Sequence, residues 1–343
     1  MKGVTIYDIA KELGVSPATV SRALSGSDKV KEETRRKIAE TAKRLNYTPN
    51  YLARSLKKKQ SYTIALIISD VTNPFFTNVA RGVEDTASRF GFNTIFCNTD
   101  EDPDKERVYV DLMLKKMVDG LVVSSCGDGR TLLPLKEKGM PVVLVDRKVG
   151  KFHWDCVVGD SEGGAYTLTR HLIEVHGHKE IAVLAGPLTI STSAERIAGY
   201  KRALIEFGLP FRSELVTAGY YKEDFGYRIA KDFLSGEKRP QACFAGNNFI
   251  AIGVVRAAQE HGLRIPEDLA LVTFDDLELA SLLFPFFTVA KQPAYTMGSL
   301  ATQLLLERIG GEKIKENREV VLKPEIIIRR SCGCEPGKQV LSG

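Results

Sequence analysis

Residues 4–26 read VTIYDIAKELGVSPATVSRALSG. Thr5 and Asp8 form a Ser/Thr-x-x-acid capping signature, and Ile9, Ala10 and Leu13 follow as the apolar side of a short helix. Gly14 breaks that helix. Ser16 then caps a second one, with Pro17 in its first turn, where the missing N–H costs nothing. Val20, Ala23 and Leu24 give this helix its apolar face, and Gly26 ends it. Two capped helices around a glycine turn predict a helix-turn-helix. Ala10 lets the helices approach, Gly14 permits the turn, and Val20 fills a small core.

Working outward, a third helix is expected from about Lys31 to Leu45, with Ile38, Ala42 and Leu45 at helical spacing. The next stretch, YLARSLKKKQS at 51–61, is short, basic and marginal as an isolated helix. Residues 1–60 carry 14 Lys and Arg against 6 Asp and Glu, whereas the remainder carries 34 against 37. A basic head on a mildly acidic body suits a polyanion partner. In a helix-turn-helix the start of the second helix enters the DNA major groove. Pro17, Ala18, Ser21 and Arg22 would then face base edges, while Ser16 and Thr19 would meet phosphate. A three-helix protein-binding module is the alternative reading of the same pattern.

Beyond residue 61 the pattern changes to alternating strands and helices. Apolar strand-like runs lie at 63–68, 94–97, 120–125, 141–145, 155–158, 180–185, 215–221, 242–245 and 269–274, with amphipathic segments mostly between them. This predicts an α/β body of doubly wound parallel sheets. Its length suits two lobes; a (β/α)₈ barrel is the alternative. The whole chain has 343 residues, 43% hydrophobic and 27% charged, which excludes wholesale disorder and coiled-coil or collagen-like architecture. No apolar run reaches membrane-spanning length, and MKGVTIYDIAKELGV lacks a signal-peptide core. The expectation is a soluble, cytoplasmic protein.

The head and the stretch running on through VKEETRRKIAETAKRLNYTPNYLARSL resemble the lactose-repressor and purine-repressor family, and the similarity continues to about Arg330. The resemblance implies a repressor that reads operator DNA as a homodimer, tetramer not excluded, under control of a small-molecule effector. It implies that Pro17 and Ala18, with Arg22, set operator preference. It implies that Thr5, Tyr7, Ser16, Thr19, Ser21, Lys29 and Tyr47 position the head on phosphate. Asn50 to Lys57 match the family's hinge helix, with Leu56 as a minor-groove wedge and Ala53 beside it. Lys57, Lys58 and Lys59 would add counterion-release affinity.

The body resembles the periplasmic sugar-binding fold, in which ligands sit between two lobes at the carboxyl ends of strands. Polar residues stand just past the expected strand ends: Asp70 to Phe76, Asp146-Arg147, Asn247-Asn248, Asp275 and Gln292. Carboxylates, amides and guanidinium forks suit paired hydroxyls, and Phe75 or Phe76 could cover a sugar ring. These strand-end residues could also simply cap helices. Asn73, Phe75, Phe76, Asp146, Arg147, Arg196, Asn247, Asp275 and Gln292 are similar to the ligand set of the ribose-binding protein, with Tyr221 in place of a phenylalanine. Thr192, Arg196 and Asp275 match the purine-responsive branch, but Ile190 stands where that branch has an arginine. A pentose such as ribose is therefore expected first and a hexose second. A catabolite-control type, which docks a phosphocarrier protein, is the other alternative.

An enzyme is not expected. GxGxxG and P-loop motifs are absent from the sequence, and an Asp146/Asp275 glycosidase pair fits poorly with a DNA-binding head. No cofactor or metal is expected either. Cys97, Cys126, Cys156 and Cys243 read as buried thiols. The Cys332-x-Cys334 and His176-x-His178 pairs each lack further ligands at suitable spacing. The expected division is a head at 1–49 and a hinge and linker at 50–60. Lobe 1 then takes 61–160 and 293–320, lobe 2 takes 161–292 and 321–332, and 333–343 is a tail. Apolar helix faces at 75–90 and 278–284 are candidate dimer contacts.

Overall fold

The computed structural model describes residues 4–25, 27–47, 60–150, 153–236, 238–277, 286–311 and 316–335. The chain divides into two compact units, Met1–Ser61 and Tyr62–Gly343.

The first unit holds α1 (Ile6–Leu13), α2 (Pro17–Leu24) and α3 (Glu32–Arg44). The Asp8 carboxylate accepts the Thr5 N–H at 2.8 Å and the Thr5 hydroxyl at 2.7 Å, which fixes the start of α1. Gly14, at φ 63°, takes the left-handed conformation that ends it. Ser16 Oγ accepts the Thr19 N–H at 3.1 Å and starts α2. Ile9, Ala10, Val20, Ala23, Val30, Ile38 and Ala42 form the buried core. The end of α2 is at Leu24, capped by Ser25; Gly26 and the expected hinge, with Asn50, Ala53, Leu56 and Lys57, lie outside the described residues.

The second unit holds two open six-stranded sheets, which excludes the barrel. The first uses β1 (Thr63–Ile68), β2 (Asn93–Asn98), β3 (Gly120–Val123), β4 (Val142–Val145), β5 (Asp155–Gly159) and β11 (Glu319–Leu322), in the order β11-β5-β4-β3-β1-β2. The second uses β6 (Ile181–Ala185), β7 (Val216–Ala218), β8 (Ala242–Ala245), β9 (Ala270–Phe274), β10 (Thr288–Lys291) and β12 (Glu325–Ile327), in the order β12-β10-β9-β8-β6-β7. Every pairing is parallel except β10 with β12. The central strands are buried along their length. That is why they read as continuous apolar runs rather than alternating ones.

Helices α4 (Pro74–Arg89), α5 (Pro103–Lys116), α6 (Leu133–Glu137) and α11 (Ala294–Ile309) belong with the first sheet. Helices α7 (Ser161–Glu174), α8 (Ser191–Glu206), α9 (Glu223–Ser235) and α10 (Asn248–Glu260) belong with the second. The chain changes sheet after β5, after β10 and after β11. The last change corrects the expected boundary at 320: residues 321 and 322 still pair with Val158 and Gly159 of β5 in the first sheet. The β11 strand is short and half-exposed, so its sequence gives little apolar signal.

Helices α4 and α11 cross with backbones nearly touching. A Cβ on Gly82 would lie 2.1 Å from Tyr295 O, and one on Gly298 would lie 2.1 Å from Val79 O. Phe75, Phe76, Val79, Val83 and Ala87 are all buried in the lobe core. Most of the apolar face at 75–90 is thus packed within the lobe, while Phe90, 59% exposed, stays at the surface. The 278–284 segment lies outside the described residues.

Cys97, Cys126, Cys156 and Cys243 are buried free thiols. The expectation that the two remaining pairs lack partners is corrected. The turn at Arg330–Cys332 packs so that Cys332 and Cys334 meet His171 and His176. Spacing along the chain missed this because the four residues come from segments about 160 positions apart.

Candidate functional site

The cleft between the two sheets is built at the carboxyl ends of their strands. Loops after β1, β4, β8 and β9 and the first turns of α4 and α8 supply most of its lining. The space left at its centre is small, about 20 Å³, with room for about one water-sized molecule. Ten expected residues line it together: Asn73, Phe75, Phe76, Asp146, Arg147, Thr192, Arg196, Tyr221, Asn247 and Asp275. The eleventh, Gln292, stands behind Asp275 and donates from Nε2 to Asp275 Oδ1 at 2.9 Å. Asp70 and Glu101 also line the cleft and were not singled out one by one from sequence. Asp70 stood inside a quoted strand-end run, whereas Glu101 lies past the end of β2, a strand end from which no residue was singled out.

Asp146 and Asp275 occupy matching places, directly after β4 and β9. Both have left-handed backbones, at φ 70° and 63°. Aspartate tolerates this conformation better than most residues, and such strain collects at ligand sites. Burial pushes the Asp146 carboxyl up to about 6, against the pull of Arg147 and Arg196; the Asp275 and Glu101 charges add to the rise. Asp275 is also raised by burial, with Arg196 and the Gln292 amide opposing.

The two arginines are held differently. Arg147 makes a bidentate pair with Glu101 at 2.6 and 2.7 Å, and its Nε lies 3.3 Å from Asp146 Oδ2. Arg196 donates to Gly246 O at 2.5 Å and stacks over the Phe274 ring at 3.9 Å. Arg196 Nε, Arg147 Nε and Gln292 Oε1 are buried without hydrogen-bond partners. Buried polar atoms left this way are costly, so the two guanidinium nitrogens, whose side chains line the cleft, mark places where a ligand acceptor would be rewarded; Gln292 Oε1 instead lies against Gly159. The Tyr221 hydroxyl is 3.2 Å from Thr192 Oγ1, and its ring faces both guanidinium groups.

Some cleft residues do serve as helix caps. Asn73 Oδ1 accepts the Phe75 N–H, and Asn247 Oδ1 accepts the Ile250 N–H. Asn73 has a second duty. Its amide exchanges reciprocal hydrogen bonds with Asn248 across the cleft, at 3.1 and 3.2 Å. Lys222 reaches over the cleft to Asp70. Burial would raise Asp70, but hydrogen bonds from Lys222 and Thr72 outweigh it and leave the carboxyl below its ordinary value.

In the head, Ala18 and Arg22 are exposed, as are Thr5, Tyr7, Ser16 and Lys29; Pro17, Thr19, Ser21 and Tyr47 are half-buried. Tyr47 packs against the small core. Arg35, Arg36 and Arg44 are engaged with Glu32, Glu40 and Glu12. Arg22 makes no ion pair with a described residue, and its guanidinium stands free on α2. No helix among the described residues is long and apolar enough to cross a membrane.

Residues 5–50 match the family of bacterial regulatory proteins called lacI, and residues 61–330 match the periplasmic binding proteins and sugar binding domain of LacI family. The chain is 38% identical to catabolite control protein A of Priestia megaterium, over 96% of this chain and 99% of that one. It is 35% identical to the transcriptional repressor PurR of Aliivibrio salmonicida, over 95% and 98%. Among solved structures, the lac repressor dimer bound to operator and the anti-inducer ONPF superposes with a TM-score of 0.82 at 26% identity, covering 96% of this chain and 99% of that one. A LacI family regulator from Enterococcus faecium with bound ribose gives 0.69 at 30%, covering 78% and 98%.

Proposed function

The chain belongs to the LacI family of DNA-binding transcriptional regulators, and from that premise we propose that it is a cytoplasmic homodimeric repressor gated by a small neutral sugar. It is a regulator and not an enzyme.

The observation that carries the sugar reading is the make-up of the cleft. Four carboxylates, on Asp70, Glu101, Asp146 and Asp275, face Arg147 and Arg196, with Lys222 pairing Asp70 at the edge. The balance does not favour an anion. Guanidinium donors on Arg147 and Arg196 beside carboxylate acceptors on Asp146 and Asp275 suit hydroxyls, which donate and accept at once. Phe76 and Tyr221 offer faces for the apolar side of a ring. Ile190, where the purine-responsive branch carries an arginine, is only 2% exposed and sits in the core of the second lobe. A pentose, ribose first, is the best match; a hexose is next.

Sugar binding biases the two lobes toward one relative orientation. The Asn73–Asn248 pair and the Lys222–Asp70 pair already span the cleft, so a ligand that adds bonds to both lobes deepens this closed arrangement. The lobe orientation then sets the spacing of two heads on an inverted-repeat operator, with a coupling of about 1–3 kcal/mol. Sugar releases the operator in this reading, as an inducer. A thermal-shift panel of pentoses, hexoses and purines, followed by operator binding with the best hit, tests it. A shift with purines alone overturns the sugar assignment.

On the DNA side, Pro17 and Ala18 offer van der Waals contacts and Arg22 supplies hydrogen bonds; Thr5, Tyr7, Ser16, Thr19, Ser21, Lys29 and Tyr47 position the head on phosphate. The free guanidinium of Arg22, where the other described arginines of the head are in ion pairs, supports its role as base reader. Arg22→Ala is expected to cost about 1–3 kcal/mol of operator affinity and to relax preference at one base pair. Binding-site selection with the variant checks this, and an unaltered consensus removes Arg22 from the reading set.

The 38% identity to a catabolite control protein favours a second reading, in which a phosphocarrier protein docks on the body. Operator binding that ignores every sugar but responds to such a partner would select it.

A further inference from the structure

We propose that His171, His176, Cys332 and Cys334 bind one zinc(II) ion that staples the end of the chain to the second lobe. Their ligand atoms all lie within 4.8 Å of one another. Cys332 Sγ is 3.3 Å from His171 Nε2. Cys334 Sγ is 3.6 Å from the same nitrogen and 3.3 Å from His176 Nε2. Zinc bonds of about 2.3 Å to sulfur and about 2.0 Å to nitrogen put tetrahedral S and N atoms about 3.5 Å apart. The three separations sit close to that edge length. Two thiolates with two imidazoles is a donor set that favours zinc over hard cations.

The local backbone is shaped for this convergence. His171 lies on the last turn of α7, and His176 follows on the next turn, just before Gly177, at φ 71°, redirects the chain. The two rings stand edge to face, with centroids 5.2 Å apart. Gly333 takes φ 105° between the two cysteines, and a Cβ there would lie 3.2 Å from the His176 ring. The glycine thus lets both thiols and the ring crowd one point. Thr288 Oγ1 stands 3.1 Å from Cys332 Sγ and can donate to it as a thiolate.

A second observation points to a ligand. His171 is fully buried, and its Nε2 faces only the two sulfurs among the described residues. A buried imidazole with such weak partners is expensive unless something stronger binds it. A metal on Nε2 supplies that, and thiol protons leave to solvent as it binds.

The cluster is distinct from the cleft. The end of α7 leads into the start of β6, and Ser331, beside Cys332, bonds to Leu271 O and the Thr288 N–H near the starts of β9 and β10. The cleft is at the opposite, carboxyl ends of these strands. The ion is therefore structural, and sugar affinity does not depend on it.

The test uses the full chain and three variants at partly exposed positions: Cys334→Ser, His176→Asn and, as a control stacked on His176 outside the set, His178→Asn. The expected result is one zinc per chain in the parent and in His178→Asn, falling to background in the other two. Cobalt(II) added to the metal-free parent should give thiolate-to-metal charge transfer and the intense visible bands of a four-coordinate centre, both lost in Cys334→Ser. Chelation should lower the melting temperature of the parent and leave that of Cys334→Ser unchanged. Zinc at background in the parent, a cobalt spectrum without thiolate bands, or a Cys332–Cys334 disulfide in metal-loaded protein would each overturn the site.

Discussion

The two lobes carry the same strand order and place an aspartate at the same point, yet they use it differently. Asp275 is gripped by the Gln292 amide at 2.9 Å before any ligand arrives. Asp146 has the Arg147 Nε at 3.3 Å, while the strong bonds of that guanidinium go to Glu101. The residue after each aspartate diverges as well. Arg147 turns into the cleft, whereas Asp276 pairs with Arg329 at 2.7 and 2.8 Å and braces the second lobe. One lobe therefore presents a fixed acceptor, and the other presents a carboxyl whose charge is uncommitted until a ligand binds.

The largest effect is expected where the acceptor is fixed. Asp275→Ala leaves the Gln292 amide without its acceptor and removes one of the two aspartates that face the Arg196 guanidinium. Breaking a buried charged partnership of this kind costs about 3–5 kcal/mol. Calorimetry with the best sugar should show binding lost or weakened by at least about a hundredfold, while operator binding without sugar is retained. A tenfold or smaller loss would mean that the first lobe holds the ligand alone.

This asymmetry marks the limit of what the sequence makes legible. The head can be read almost to the residue because its signals are local: the Thr5–Asp8 box, Gly14, the Ser16 cap and Pro17 all act within four positions. The parallel sheets are legible because buried strands must be continuously apolar. Strand-end polar residues also follow from sequence, and Asp70, Asn73, Asp146, Arg147, Asn247 and Asp275 do line one cleft; Thr192, Arg196 and Tyr221 came in through the family resemblance. What escapes is any feature whose parts meet only in space. Asn73 with Asn248, Lys222 with Asp70, Glu101 behind Arg147, and His171 beside Cys332 lie tens to well over a hundred residues apart. Their spacing carries no periodicity. The β11 strand escaped for another reason: it is short and half-exposed.

The intermediate effect concerns the uncommitted carboxyl. In the folded chain burial raises Asp146 to about 6, above its unfolded value of about 4. Between those values the folded state holds a proton that the unfolded state has lost. Stability should therefore fall as pH rises through about 4 to 6 and level off above, with about 3 kcal/mol at stake. Asp146→Asn cannot ionise and should remove this component, leaving the apo variant more stable than the parent at pH 7–8. Urea unfolding across that range measures the difference. Equal stabilities at pH 7–8 would show that Arg147 and Arg196 fully compensate the buried Asp146 charge.

The smallest effect tests whether the lobes are joined symmetrically. Asn248→Ala removes both bonds to the Asn73 amide but leaves the Asn73 cap on the Phe75 N–H intact. Asn73→Ala removes the same bonds and the cap together. The bridge is an uncharged hydrogen-bonded pair, and each bond of that type is worth about 0.5–1.5 kcal/mol. A lost cap adds about 1 kcal/mol to unfolding but nothing to closure. Asn73→Ala should therefore melt lower than Asn248→Ala, while the two weaken sugar affinity about equally, roughly five- to tenfold. The double variant should bind sugar no worse than either single one, because both remove one shared contact. Additive losses would show that each asparagine touches the ligand itself rather than closing the cleft over it.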